Sequence, residues 1–183
     1  MLMFVRGNLL ESGCEYLVNP VNCVGVMGKG LALSFKETFP EYFKRYKADC
    51  KARKYVPGKL RVDTDEKDVC ILSFPTKDVW WKPSQMQWVD SGLADLSSFI
   101  TTEASRRKVV TLAMPLVGTG NGGLKPQQVL DRIYHCVCGF PTNVKTLVYV
   151  NDAAVVLPDQ HRILNYTDFG VNFRTDNPLG ERS

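Results

Sequence analysis

Two glycine-rich stretches, Val24-Gly25-Val26-Met27-Gly28-Lys29-Gly30 and Leu116 to Leu124, each lie between a strand-like run and a helix-like run. A strand that ends in a glycine turn and restarts as a helix is the repeating step of layered α/β architecture. The rest of the chain keeps that rhythm. Met3 to Arg6 and Glu15 to Asn19 read as strands, with Pro20 expected to end the second. Leu31, Leu33 and Phe35 open a helix that stops before Pro40, and Pro40 to Arg53 reads as another, with Tyr42, Phe43 and Tyr46 on one face. Gly58 to Val62, Val69 to Phe74, Val109 to Met114 and Thr146 to Val150 are strand-like, and Pro75 to Pro83 reads as a loop. Gln85 to Thr102 carries Val89, Leu93, Leu96 and Ile100 at helical spacing. Pro126 marks the first turn of a helix running to about Cys138. The expected fold is α/β with a mixed, largely parallel sheet.

The rhythm fades after Asp152. Residues 1–152 therefore read as one domain, and residues 153–183 as a C-terminal extension that packs on the body or is partly disordered. A chain of 183 residues has room for a sizeable core. The net charge of +4 favours a polyanionic partner without identifying one. A dedicated duplex binder would carry a denser basic stripe. No apolar run reaches the roughly 18 residues of a membrane span, so no membrane partner is expected. The six cysteines show no C-x-x-C pair, and His135 and His161 are the only histidines. They read as reduced thiols of an intracellular, cytoplasmic protein, with no metal site and no cofactor expected.

Ligands of α/β folds gather at the carboxyl ends of strands. Glycines there let backbone N–H groups approach an anion closely, and a following helix terminus adds a favourable dipole. Each N–H donated to a charged oxygen contributes roughly 1.5–3 kcal/mol. Two such loops suit a diphosphate clasped from opposite sides. Gly118-Thr119-Gly120-Asn121-Gly122-Gly123 contains a literal G-x-G-x-x-G, but it follows a late strand, and no acidic residue stands about 20 positions on at a strand end. Gly28-Lys29-Gly30 lacks the G-K-[S/T] of a Walker loop. The bland alternative is a pair of flexible turns that bind nothing.

Val18-Asn19-Pro20-Val21-Asn22 followed by Val24 to Ala32 resembles the macrodomain signature, and Leu116 to Leu124 resembles its second phosphate loop. The resemblance covers about Met3 to Asp152. Met27 to Lys36 (M-G-K-G-L-A-L-S-F-K), Phe39 to Tyr46 (F-P-E-Y-F-K-R-Y) and Phe74 to Lys77 (F-P-T-K) are similar to the DarG-type antitoxin macrodomains and, in turn, to the terminal ADP-ribose protein glycohydrolase. The resemblance implies a three-layer α/β/α macrodomain that binds ADP-ribose. Asn22 would hold the distal ribose. The diphosphate would lie on Gly25, Val26, Met27, Gly28, Lys29, Gly30 and Leu31, and on Leu116, Gly118, Thr119, Gly120, Asn121 and Gly122. Asn8 and Leu9 would border the adenine. Many macrodomains have an aspartate where this chain has Asn8. Without the signature, Asn22 would read as a turn residue bonding its own backbone.

In the resembling hydrolases a lysine in the T-K position carries the reaction, which makes Lys77 the catalytic candidate beside Asn22 and Asn121. A lysine works as a nucleophile only when desolvation or a neighbouring cation lowers its pKa. As a neutral amine it would attack C1″ of the opened ribose to give a Schiff base; as an ammonium it would assist the leaving group. A solvated surface lysine is the alternative. Asn121 stands where the terminal glycohydrolase has an aspartate, so a paired Lys/Asp mechanism is not expected. Trp80 and Trp81 are substrate-side candidates for stacking a base, against a reading as loop packing. Trp81 departs from the DarG pattern, which has a basic residue there. The expected activity is removal of ADP-ribose from a nucleobase, thymidine, in single-stranded DNA. The alternatives are hydrolysis of ADP-ribose esters or ADP-ribose 1″-phosphate, and a non-catalytic reader of ADP-ribose. The resemblance also implies a cognate ADP-ribosyltransferase toxin as partner.

Overall fold

The computed structural model describes residues 1–64, 69–151, 155–158 and 161–165. Its elements run β1 (Leu2–Arg6), β2 (Tyr16–Asn22), α1 (Gly30–Thr38), α2 (Pro40–Lys51), β3 (Arg61–Thr64), β4 (Cys70–Lys77), α3 (Met86–Arg106), β5 (Val110–Pro115), α4 (Pro126–Cys138), β6 (Val144–Tyr149) and β7 (Ile163–Asn165). The sheet has the order β3-β4-β2-β5-β6-β1-β7. Every neighbouring pair is parallel except β3 with β4.

Both faces of the sheet are covered. Period-2 alternation sends Tyr16, Val18, Leu72 and Phe74 into one core against Val89, Leu93, Leu96 and Ile100 of α3 and Val129 and Ile133 of α4. Leu17, Val21 and Ile71 point the other way, into a second core with Phe35 of α1 and Tyr42 and Tyr46 of α2. The strands therefore read as continuous apolar runs rather than as alternating ones. Each fully buried large apolar side chain contributes about 1.5–3 kcal/mol relative to exposure. These two cores and the sheet make three layers, α/β/α.

Two strands run further than their prolines suggest. β2 continues through Pro20 to Asn22, and β4 continues through Pro75 to Lys77. The reason is the same in both. β5 pairs with β2 only at Tyr16 and Leu17, and β3 pairs with β4 only over Cys70 to Ser73. By the time each proline is reached, one flank of its strand is free, and a missing N–H is tolerated on such a flank. Lys77 therefore sits at a strand end, not in the loop expected from Pro75 onward. β7 is an added strand, pairing with β1 from within the C-terminal extension. The expected boundary at Asp152 and most of the extension lie outside the described residues.

Candidate active site

The carboxyl ends of β2 and β4 carry Asn22 and Lys77 as register partners. Pairing shifts between Val21 and Asn22: Val21 faces Pro75, and Asn22 faces Lys77. Thr76 is the extra residue, and this irregularity re-aims the end of β4. Lys77 Nζ donates to the carbonyl of Asn121 at 2.5 Å and to that of Trp80 at 3.3 Å. Burial holds its pKa below the usual lysine value.

The first glycine loop wraps around Asn22, whose side chain is 6% exposed. Its Oδ1 accepts from the N–H of Val24 at 3.0 Å and of Val26 at 3.3 Å, and its Nδ2 donates to the Val26 carbonyl at 2.6 Å. The buried Tyr46 hydroxyl donates to the Asn22 carbonyl at 2.8 Å and to Oδ1 at 3.2 Å. Asn22 is thus the hub of the loop as well as a wall of the cleft. Gly25, at φ +80°, lies against Lys47 and Cys50 of α2. Met27, 2% exposed, anchors the loop in the α1–α2 core. The loop ends at α1, which has no side-chain cap. Its first-turn N–H groups therefore lack intrahelical acceptors at the cleft.

The second loop docks on the lead-in to α3. Ser84 N donates to the Gly122 carbonyl at 2.9 Å, and a Cβ on Gly122 would come within 2.5 Å of Ser84 Oγ. Gly118, at φ +77°, also lies against Ser84. The two loops meet over the cleft, where the Asn121 amide lies 3.1 Å from the position of a Cβ on Gly30.

Between them is a cleft of about 670 Å³. Asn22, Val26, Gly28, Lys29, Gly30, Leu31, Lys77, Trp80, Trp81, Leu116, Gly118, Thr119, Gly120, Asn121 and Gly122 all line it. Gly25 and Met27 do not: the former faces α2 and the latter faces the core. Asn8 and Leu9 line an adjoining hollow of about 660 Å³, which shares Leu31, Pro115, Leu116, Thr119 and Gly120 with the first. There the Asn8 side chain is engaged in capping a 3-10 turn, Leu9–Glu11, accepting from Leu10 N at 3.1 Å and donating to Glu11 at 2.8 Å. Trp80 and Trp81 are 55% and 62% exposed and meet edge to face at 5.4 Å, so they are not loop packing. The sequence reading missed Pro20, Val21, Ala32, Thr76 and Pro115 in the cleft, and Gly7, Tyr149 and Asn151 in the hollow. Asn151 holds Gly7 by a reciprocal pair of 3.3 Å hydrogen bonds, joining the ends of β1 and β6. Its position after a strand end was the one available signal.

Among the described residues lining the cleft, Lys29 and Lys77 are the only titratable ones. No carboxylate or histidine is among those lining residues, so the titratable side chains they offer are lysine amines. Among the described residues, no helix is long and apolar enough to cross a membrane.

A family model described as Macro domain matches residues 18–133, the stretch that holds both loops. The chain belongs to the Macro domain family. A Mycobacterium tuberculosis protein named DNA ADP-ribosyl glycohydrolase is 40% identical to this macrodomain over 152 residues, 81% of this chain and 42% of that protein. The solved macrodomain of Mycobacterium tuberculosis DarG aligns with a TM-score of 0.76 at 37% identity, covering 83% of this chain and 99% of that one. A Thermosipho africanus protein named a DNA ADP-ribosyl transferase–DNA ADP-ribosyl glycohydrolase fusion is 31% identical over 142 residues, 68% of this chain and 36% of that protein. This macrodomain spans about two fifths of the length of the curated relatives it matches.

Proposed function

We propose that this macrodomain binds ADP-ribose across the two adjoining hollows and hydrolyses it from a nucleobase, thymidine, in single-stranded DNA. The observation that carries this reading is Lys77, with a depressed pKa, at the distal end of a cleft flanked by two glycine loops. The names of the Mycobacterium tuberculosis relative and of the matching DarG macrodomain support the substrate class. The adenosine half lies in the hollow of Asn8 and Leu9, the diphosphate between the loops, and the distal ribose beside Asn22 and Lys77.

In the reaction, the neutral Lys77 amine attacks C1″. The C1″–nucleobase bond breaks with its electron pair going to the base, which takes up the proton lost by the amine, and the ribose ring of the adduct opens to a Schiff base between C1″ and Lys77 Nζ. Water then hydrolyses the lysine adduct, returning the amine and releasing ADP-ribose. Asn121 and Asn22 orient the ribose. The fusion relative supports a cognate ADP-ribosyltransferase toxin as the protein's biological counterpart.

The test is incubation with an oligonucleotide carrying ADP-ribosylated thymidine. Release of ADP-ribose, with a borohydride-trapped adduct at Lys77, is the expected result. Tight ADP-ribose binding without release from this substrate, from ADP-ribose esters or from ADP-ribose 1″-phosphate makes the domain a reader instead.

A further inference from the structure

A third hollow, of about 840 Å³, is lined by Cys23 and Asp78, the residues that follow the ends of β2 and β4, and by one face of α2. Lys44, Lys47, Lys51 and Arg53 line it, with Asp78 as its one carboxylate. We propose that this basic trough holds the sugar–phosphate backbone of the single strand flanking the modified nucleotide. The inference rests on the DNA reading given above.

The placement is not arbitrary. Lys44, Lys47 and Lys51 are spaced i, i+3, i+7 along α2, which puts them on one helix face. The small Ala48 lies within that face, leaving the trough its depth. The stripe is about 10 Å long, the reach of two or three consecutive phosphates. Arg53 continues it past the helix end. Its φ of +57° is the one left-handed value at a non-glycine residue among those described. Glycine or asparagine at that position would avoid roughly 1–2 kcal/mol of backbone cost, so stability alone does not account for an arginine there. Lys47, Lys51 and Arg53 make no ion pair among the described residues, whereas Lys54 and Arg61 nearby both pair with Asp49.

The trough also begins where the reaction ends. Cys23 N donates to the Asp78 carbonyl at 2.9 Å, and these two residues, each one step beyond Asn22 and Lys77, form the wall between cleft and trough. A polymer leaving the distal ribose past Lys77 meets α2 directly. Thiol chemistry is not an alternative use of the trough. Burial pushes the Cys23 thiol up to about 12 and that of Cys50 up to about 11, so neither supplies a thiolate.

The test uses the double variant Lys51→Gln/Arg53→Asn. Lys47 stays, because its stem backs Gly25 of the first loop, and asparagine accepts the left-handed backbone at position 53. Unchanged affinity for free ADP-ribose reports that the fold and cleft are intact. For a modified oligonucleotide with flanking nucleotides, kcat/KM should fall about five- to ten-fold, and the slope of log KM against log salt should flatten by about 1.4 for two lost single-strand contacts. For ADP-ribosylated thymidine nucleoside, kcat/KM should not change. Equal effects on both substrates, or none on either, overturn the proposal while leaving the activity standing. Fluorescence anisotropy with an unmodified oligonucleotide separates the two claims from the other side. Binding that depends on Lys51 and Arg53 in a protein that hydrolyses neither substrate supports the trough and rejects the activity. Competition by polyglutamate peptide as effective as by the oligonucleotide overturns the assignment to nucleic acid.

Discussion

Asn22 and Lys77 face each other across the ends of two parallel strands, and one extra residue, Thr76, sets that pairing. Asn22 ties the first loop to β2, while Lys77 reaches the Asn121 carbonyl of the second loop. The two strand ends therefore fix both loops and the amine relative to each other. A site built this way is held by sheet pairing rather than by loop conformation, which suits chemistry that needs sub-ångström placement.

Lys77→Ala is expected to lower turnover by at least about 10²-fold while ADP-ribose affinity, measured calorimetrically, stays close to wild type. The pH dependence follows from the sign of the shift. Burial lowers the Lys77 pKa, so the amine fraction at any given pH exceeds that of a solvated lysine. Below that pKa the ammonium has no lone pair, and kcat should rise with pH until the lowered pKa is passed. A rate that falls over the same range identifies the ammonium as the working form and removes the nucleophilic mechanism.

Tyr46→Phe removes a single buried hydroxyl that donates to Asn22. Burial raises its pKa well above that of a free phenol, so it is a proton donor throughout the working range. The expected stability loss is about 1 kcal/mol. The more telling readout is a weaker ADP-ribose affinity, because Asn22, the hub of the first loop, would lose its hydrogen bonds from α2. An affinity unchanged alongside the stability loss shows that Asn22 holds the loop without Tyr46.

The layered architecture was legible because each sheet face is buried by a helix pair. Apolar runs such as those of β2 and β5 and the helical period of α3 are direct consequences of that burial. Both glycine loops were legible for a different reason: their positive-φ positions, such as Gly118 and Gly30, exclude most other residues. Strand ends were not. Pro20 and Pro75 are strand breakers only where both flanks are paired, and the sequence does not reveal that β5 and β3 diverge before them. Gly25 and Met27 lie inside the loop motif yet face α2 and the core, since a motif records which residues sit in a turn but not where each side chain points. Tyr149 and Asn151 entered the hollow of Asn8 and Leu9 through strand order, which places β6 beside β1 from opposite ends of the chain.

Gly92→Ala tests the packing beneath the site. A Cβ there would fall 2.4 Å from the ring of Phe74, which is fully buried at the base of the T-K segment. Overpacking of this kind costs about 1–3 kcal/mol, only partly offset by the better helix propensity of alanine. The expected result is a lower thermal midpoint and, because β4 carries Lys77, a lower kcat. A neutral or stabilising outcome shows that Phe74 can swing aside without moving the strand end.

Trp80→Ala/Trp81→Ala tests whether the exposed pair reads the substrate polymer. Both residues line the cleft within four residues of Lys77, and each is more than half exposed. Stacking on a base contributes about 1–3 kcal/mol, so losing one base contact should reduce kcat/KM on the modified oligonucleotide by about 5- to 150-fold. Free ADP-ribose does not carry the base, and its affinity should be unchanged. Most of the loss should appear in KM, since stacking holds substrate and transition state alike. A loss confined to kcat, equal for oligonucleotide and nucleoside, would instead mean that the pair keeps water from Lys77, which donates to the Trp80 carbonyl at 3.3 Å.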